Sequence, residues 1–255
     1  MTQFNFGKNW SAYSSDVLDE SKFKEARQSL IELIGEDQIN GSSFFDIGSG
    51  SGIFALAARQ LGAKKVVGID ISQESVDAAL MNVKKFGISD VAFYRQSIFD
   101  EIVGRLGKFD VVYSWGVLHH TGDMYKAIQR SMELVGGNGL LVLAIYNKHW
   151  SSPLWKMIKF SYNKMPKILQ KVYVYIFLGI IFVAKFLVTG KNPLRKKRGM
   201  SFYYDVVDWM GGYPYEYATK KEIVGFLEKH NFAVVRAIEA QVPTGCNEFV
   251  FKKTI

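Results

Sequence analysis

Two short runs in this sequence carry residue types suited to chemistry. The first is Phe45-Asp46-Ile47-Gly48-Ser49-Gly50-Ser51-Gly52, where three glycines alternate behind a carboxylate. Glycines so spaced let the backbone turn tightly and bring its N–H groups close to a ligand at a helix start. Further on, Gly68-Ile69-Asp70 ends a second apolar run with a carboxylate, which at that place can accept two hydroxyl hydrogen bonds from a ribose. The usual dinucleotide fingerprint requires its third glycine at position 53, where Ile53 stands, so that fingerprint does not fit. The second run, Phe109 to Leu118, ends in His119-His120. Histidine is the side chain best matched to taking a proton near neutral pH. Either histidine is therefore a candidate base, against the plainer reading that both pack or cap the next helix.

These residues need a scaffold, and the apolar pattern supplies one. Short apolar runs at 43–47, 65–69, 91–95, 109–114 and 140–146 predict strands. Helical spacing predicts helices over 15–34 with Ser15 as N-cap, 52–61, 72–86 capped by Ser72, 124–134, and 220–230 capped by Thr219. Ala233 to Ala240 and Asn247 to Lys252 read as two closing strands joined by a turn with Pro243 and Gly245. Strands alternating with helices imply right-handed crossovers. The fold class expected is α/β: a doubly wound, mostly parallel seven-stranded sheet with an antiparallel edge and a helical cap insertion.

With the glycine run, Asp46, Asp70 and the Phe109–His120 stretch in that order, the chain resembles a class I S-adenosylmethionine-dependent methyltransferase. Within that class it resembles the small-molecule enzymes of ubiquinone and menaquinone biosynthesis. The resemblance covers residues 43 to 146 and the closing strands. It implies S-adenosyl-L-methionine as cofactor and S-adenosyl-L-homocysteine as product. It implies that Gly48, Ser49, Gly50 and Gly52 wrap the amino-acid part, with Asp46 helping to hold the ammonium group. Asp70 would hold the ribose hydroxyls, Ile71 would pack on the adenine, and Ser97 and Ile98 would supply the contact after the third strand. Many members have an Asp at this last step, whereas this chain has none before Asp100. The stretch after the fourth strand lacks the Asn-Pro-Pro-Tyr type of motif of amino-group methyltransferases, and Cys246 lies far along the chain from it.

Two aromatic stretches look placed for binding. Phe6-Gly7-Lys8-Asn9-Trp10 with Tyr13 is expected to fold over the cofactor as a lid, with Trp10 or Tyr13 lining the pocket, and Trp115 is a further expected cofactor contact. The alternative is ordinary N-terminal packing. Arg198 to Trp209, followed by Gly211-Gly212-Tyr213-Pro214-Tyr215-Glu216, suits an acceptor pocket, with Asp205 as a candidate catalytic carboxylate. Its alternative is a capped helix start and a turn.

Charge separates one segment from the rest. The 255 residues carry a formal net charge of +8, yet Lys148 to Met200 holds 12 of the 32 Lys and Arg and no Asp or Glu. Such a surface asks for an anionic partner. Residues 152–189 are helical by pattern, basic and very apolar, broken at Pro166. A spanning helix needs about 20 apolar residues, and a single span would strand the closing strands across the bilayer. That leaves an acceptor lid, a homodimer face, or peripheral contact with a membrane. The cluster Arg195-Lys196-Lys197-Arg198 with Tyr203 and Tyr204 keeps an RNA methyltransferase as an alternative. A non-catalytic S-adenosylmethionine-binding protein is another.

Ordinary composition, 48% hydrophobic and 22% charged, excludes disorder. One cysteine excludes an internal disulfide and a Cys-rich zinc site and points to a reducing, cytoplasmic setting. No signal peptide is read in Met1 to Trp10, and no metal-ligand spacing is found. The expected organisation is 1–147 as cofactor-binding core with an N-terminal lid, 148–218 as basic apolar cap and acceptor-site insertion, and 219–255 as closing helix and strands. The expected activity is O-methylation of a small or lipid-like acceptor, with nucleic acid disfavoured.

Overall fold

From Ser43 onward strands and helices alternate, each strand followed by the segment that covers it. A computed structural model of the chain describes residues 6–16, 18–194 and 201–254. Two helices come first, α1 (Phe6–Asp16) and α2 (Glu20–Ile34), then a short turn of helix, α3 (Glu36–Ile39). The core follows as β1 (Ser43–Ile47), α4 (Ile53–Gln60), β2 (Lys65–Asp70), α5 (Gln73–Phe86), β3 (Val91–Arg95), α6 (Glu101–Gly104) and β4 (Phe109–Trp115). A 3-10 turn at Leu118–His120 leads into α7 (Met124–Glu133) and β5 (Val135–Tyr146). The cap comprises α8 (Ser152–Lys164), α9 (Lys167–Thr189) and α10 (Phe202–Gly211). The chain closes with α11 (Lys220–Glu228), β6 (Phe232–Ile238) and β7 (Cys246–Lys253).

The seven strands form one sheet in the order β3-β2-β1-β4-β5-β7-β6. β1 to β5 are parallel, and β7 pairs antiparallel with both β5 and β6. Side chains alternate across a strand, so each strand feeds two cores. Phe44, Val66, Val111 and Val142 face α2, α4 and α5, while Phe45, Val67, Val112 and Leu143 face α7 and α11. A third, smaller core joins the cap helices through Tyr162, Val174, Phe202, Val206 and Met210. This sheet confirms the expected doubly wound class with its antiparallel edge.

Two local expectations change. The helix expected over 15–34 is two helices, and the cap of the second is Asp19, whose carboxylate accepts from the Lys22 N–H at 2.9 Å. Ser15 falls inside α1, and the periodicity of the buried positions Phe23 to Ile34 belongs to α2 alone. β5 begins at Val135 rather than Leu140. Its first half, Val135-Gly136-Gly137-Asn138-Gly139, lacks alternation because a Cβ at Gly139 would come within 2.9 Å of the Asp110 carbonyl. The stretch after Ser201 forms a helix, α10, which packs on α8 and α9. Residues 195–200, including the Arg195–Arg198 cluster and the start of the Arg198–Trp209 stretch, lie outside the described residues.

Candidate active site

The strand order reverses between β1 and β4, and a crevice at such a point lies beyond the carboxyl ends of the strands. A cleft of about 1050 Å³ opens there. Ligand sites run to about 1,000 Å³, so it has room for a cofactor and an acceptor side by side.

The cofactor half is built from β1, β2 and their following turns. Gly48, Gly50 and Gly52 have φ of 69°, 54° and 74°, the left-handed region where a side chain is strained. Space forbids side chains as well. A Cβ on Gly48 would run into Val117, and one on Gly50 would lie 3.1 Å from the Trp10 ring. Asp70 shapes this loop directly. Its Oδ2 accepts from the Gly50 N–H at 3.0 Å and its Oδ1 from the Ser72 N–H at 2.9 Å. Burial raises the Asp70 carboxyl above its ordinary range, and those N–H donors oppose the rise. Asp46 is buried at the end of β1. Burial, aided by the nearby Asp70 charge, pushes it up to about 8. Its Oδ2 has no hydrogen-bond partner, and neither do the buried hydroxyls of Ser49 and Ser51. A cradle closed to Cβ atoms and holding orphaned acceptors fits the amino-acid end of S-adenosylmethionine.

Of the predicted cofactor residues, Trp10, Asp46, Gly48, Ser49, Asp70, Ile71, Ser97, Ile98 and Trp115 line the cleft. Gly50 and Gly52 serve the turn. Asp100, in place of a cleft contact, accepts from the Ser97 N–H at 2.8 Å and closes its own loop. The Trp115 Nε1–H donates to Glu248 on β7 at 3.0 Å.

α1 lines the cleft with Phe6 and Trp10 and is anchored by two residues. Gly7 lets α1 touch α5, since a Cβ there would collide with the Ser72 side chain. Asn82 on α5 donates to Ser14 Oγ of α1 at 3.1 Å and to the Ser51 carbonyl of the glycine loop at 2.8 Å. Both are buried.

The acceptor half separates the two histidines. His120 lines the cleft, and its Nδ1 lies 2.6 Å from the Pro214 carbonyl oxygen. A carbonyl only accepts, so Nδ1 carries the proton and Nε2 keeps its lone pair. Burial and the neighbouring Lys159 push the imidazolium down to about 3, so the ring is neutral at physiological pH. A Cβ at Gly212 would come within 3.0 Å of Nε2, which explains a glycine in the Gly211-Gly212-Tyr213-Pro214 run. His119 is fully buried and lies outside the cleft lining, its Nδ1 accepting from the Tyr146 N–H at 3.3 Å. Of the two histidines, His120 is the one placed at the cleft, and His119 belongs to the wall behind it. Asp205 reaches the cleft but pairs with Lys185 Nζ at 3.2 Å, tying α10 to α9.

Aromatic residues complete this half: Tyr146, Trp155 and Trp209, the last two edge to face at 4.5 Å. Cys246 also lines it, although it lies far along the chain, because β7 starts where β5 ends and pairs Cys246 with Tyr146.

A 3-2-1-4-5-7-6 sheet with a glycine loop after β1 and a carboxylate ending β2 is the architecture of class I S-adenosylmethionine-dependent methyltransferases. A family model described as a methyltransferase domain matches residues 39–192, and the chain belongs to that family. A ubiquinone biosynthesis O-methyltransferase of Bradyrhizobium diazoefficiens is 33% identical over 115 residues, 45% of this chain and 44% of that protein. A ribosomal protein L11 methyltransferase of Lactobacillus delbrueckii is 46% identical over 67 residues, 26% of this chain and 20% of that protein. The chain thus matches less than half the length of either relative. Among solved structures, magnesium protoporphyrin IX methyltransferase of Synechocystis with bound S-adenosylhomocysteine superimposes with a TM-score of 0.59 at 16% identity. That match covers 97% of this chain and 93% of the other.

Proposed function

We propose that this chain methylates an oxygen of a small or lipid-like acceptor, with His120 near the methyl-transfer site. The carrying observation is that His120, neutral and with its proton held on Nδ1 by the Pro214 carbonyl, lines the same cleft as the glycine cradle. Bound S-adenosylmethionine supplies an electrophilic methyl group on a sulfonium. The protein's own part is to hold the acceptor in line with that methyl group, and positioning does much of the work. Gly48 to Gly52, Asp46 and Asp70 would hold the cofactor. Tyr146, Trp155 and Trp209 would clasp the acceptor, and His120 Nε2 would accept a hydrogen bond from its hydroxyl. The relative named for O-methylation in ubiquinone biosynthesis supports an oxygen acceptor.

The cap supports a membrane-facing site, in a cytoplasmic setting. α9 has 23 residues and is apolar enough to span a bilayer by length and composition. Crossing conflicts with the sheet: β5 precedes α9, β7 follows it, and the two pair from Leu140–Lys252 to Tyr146–Cys246. Lying flat satisfies both facts. One side of α9, through Ile181, Ala184, Lys185 and Val188, lines the cleft. Ile168, Leu169, Ile176, Val183 and Leu187 are exposed on the same helix. Residues 148–194 contain lysines and no acid, which suits anionic headgroups.

The test uses methyl-labelled S-adenosylmethionine with lipid, RNA and aqueous fractions of a cell extract. Label is expected in the lipid fraction, and the His120→Gln variant should lose it while binding S-adenosylhomocysteine normally. Label in RNA would overturn the choice of acceptor. Retained transfer in His120→Gln would remove His120 from the methyl-transfer site.

A further inference from the structure

Behind the acceptor half lies a group that the reaction as described does not use. Lys159 of α8 is fully buried, a rare state for a lysine. Its Nζ sits 4.4 Å from the Trp209 ring centre, 4.8 Å from that of Tyr215 and 5.5 Å from that of Tyr146. It has no hydrogen-bond partner among the described residues. An ammonium within about 6 Å of a ring centre is attracted by the ring face, most strongly where water is excluded. The three rings thus stand where a counter-ion would be. An apolar side chain of similar length would fill the same space without the desolvation cost of a charge. Stability alone therefore does not account for a lysine at this position.

The three rings come from different parts of the fold. Trp209 belongs to the cap helix α10, Tyr146 ends the core strand β5, and Tyr215 lies between α10 and α11. Lys159 itself is on α8, so its charge joins two cap helices to the sheet. Asn163, one turn further along α8, donates to the Gly211 carbonyl at the end of α10 at 2.7 Å and keeps these helices together whatever the charge on Nζ. Tyr146 and Trp209 line the cleft, whereas Lys159 and Tyr215 do not. The lysine is out of reach of a bound molecule and acts on the cleft only through those two rings.

Titratable groups face Nζ from every element around it. Asp205 and Asp208 of α10 and Cys246 of β7 favour the ammonium, and burial outweighs them, pushing it down to about 7. His119 and His120, from the turn before α7, stay neutral because burial and the nearby Lys159 oppose their protonation. Burial also keeps the Tyr146 and Tyr215 phenols protonated. Both forms of the lysine therefore exist near neutral pH, and only the ammonium attracts ring faces.

We propose that Lys159 is a positioning residue for the acceptor half: its ammonium holds the Tyr146 and Trp209 rings in their clasping arrangement, and loss of its proton releases them. This rests on the reading of that half as the acceptor site and adds a control upon it. Without the cation, Trp209 keeps only its edge-to-face contact with Trp155 and its apolar packing in the cap. The wall of the acceptor half is then firm on the acidic side of neutrality and loose on the alkaline side.

The test uses the whole chain with ¹³Cε-labelled lysine and 5-fluorotryptophan at its five tryptophans. Trp209→Phe identifies the Trp209 resonance, and Lys159→Arg identifies that of Lys159. The two resonances should titrate together in the wild-type protein, with a midpoint near 7. In Lys159→Met the Trp209 resonance should not move between pH 6 and 8. Lys159→Arg, charged throughout, should hold it near its wild-type position at pH 6, and it carries the comparison if the methionine variant does not fold. Methyl transfer to the lipid fraction supplies a second readout, with S-adenosylmethionine saturating. The amount of lipid fraction giving half-maximal transfer should be at least about twofold greater at pH 8 than at pH 6 in the wild-type protein, and equal at both in Lys159→Arg. A Trp209 resonance that stays still while Lys159 titrates would overturn the proposal. So would a Lys159 midpoint at the ordinary 10.5, a folded Lys159→Met protein that keeps the Trp209 titration, or a wild-type half-maximum indifferent to pH. The resonances need neither cofactor nor acceptor. Failure of S-adenosylhomocysteine to bind would therefore show separately that the methyltransferase reading itself is wrong.

Discussion

His119 and His120 differ in duty because of what each ring nitrogen meets. The Pro214 carbonyl holds the proton on His120 Nδ1, and burial keeps the ring neutral. Below the ordinary histidine pKa of 6.5, the unfolded chain takes up protons that the folded His120 refuses down to about 3. Stability must therefore fall as pH drops through that window, by at most about 1.4 kcal/mol per pH unit for each such group. His120→Gln should flatten this acid limb in thermal melts between pH 6 and 4.5; an unchanged slope would contradict the buried neutral state. Asp46 has the opposite sense. Its folded carboxyl holds a proton to about 8 that the unfolded chain loses near 3.8, so apo stability falls as pH rises between those values. A bound ammonium favours the carboxylate, so S-adenosylhomocysteine affinity should climb from pH 6 to 8, by up to about tenfold per unit. Asp46→Asn should give a flat profile by calorimetry and a more stable apo protein at pH 8. The glycine run and Asp70 were legible in sequence because their job is local. Choosing between adjacent histidines was not, since the deciding carbonyl comes from another segment. Lys159 was invisible, because a lysine at helical spacing among apolar residues looks like a solvated one.

At the scale of elements, α1 packs along α5 and brings Phe6 and Trp10 to the cofactor half of the cleft. Gly7 permits its approach to α5, and Asn82 ties it to the glycine loop through two buried hydrogen bonds. Leaving buried polar groups unsatisfied costs about 1–3 kcal/mol. Asn82→Ala should therefore raise hydrogen exchange in α1 while α2 stays protected, and should weaken S-adenosylhomocysteine binding about tenfold or more. Equal protection of both helices in the variant would refute the tether. The strands were legible because β1, β2 and β4 are short, nearly continuous apolar runs, as strands buried on both faces must be. The break between α1 and α2 was not, because apolar residues continue through it and only the Asp19 cap marks the new start.

At the scale of the molecule, two features define the chain: a cofactor cradle on a doubly wound sheet, and a cap whose longest helix is exposed. The sheet was readable from alternating elements. The proximity of Cys246 and Glu248 to the site was not, since it depends on how β7 returns beside β5. Leu169, Ile176 and Leu187 are exposed on α9 and make no part of the cleft lining. Changing all three to Glu should abolish co-sedimentation with anionic vesicles and leave cofactor affinity unchanged. If the wild-type protein stays in the supernatant, the membrane-facing cap is wrong. The central claim is the cofactor cradle, and calorimetry with S-adenosylhomocysteine on wild-type and Asp70→Ala protein tests it most directly. Loss of the carboxylate removes the acceptor for the Gly50 and Ser72 N–H groups and the ribose contact together. We expect affinity to fall at least about tenfold, or about 1.4 kcal/mol, whereas equal affinity in the two proteins would contradict the placement of the cofactor.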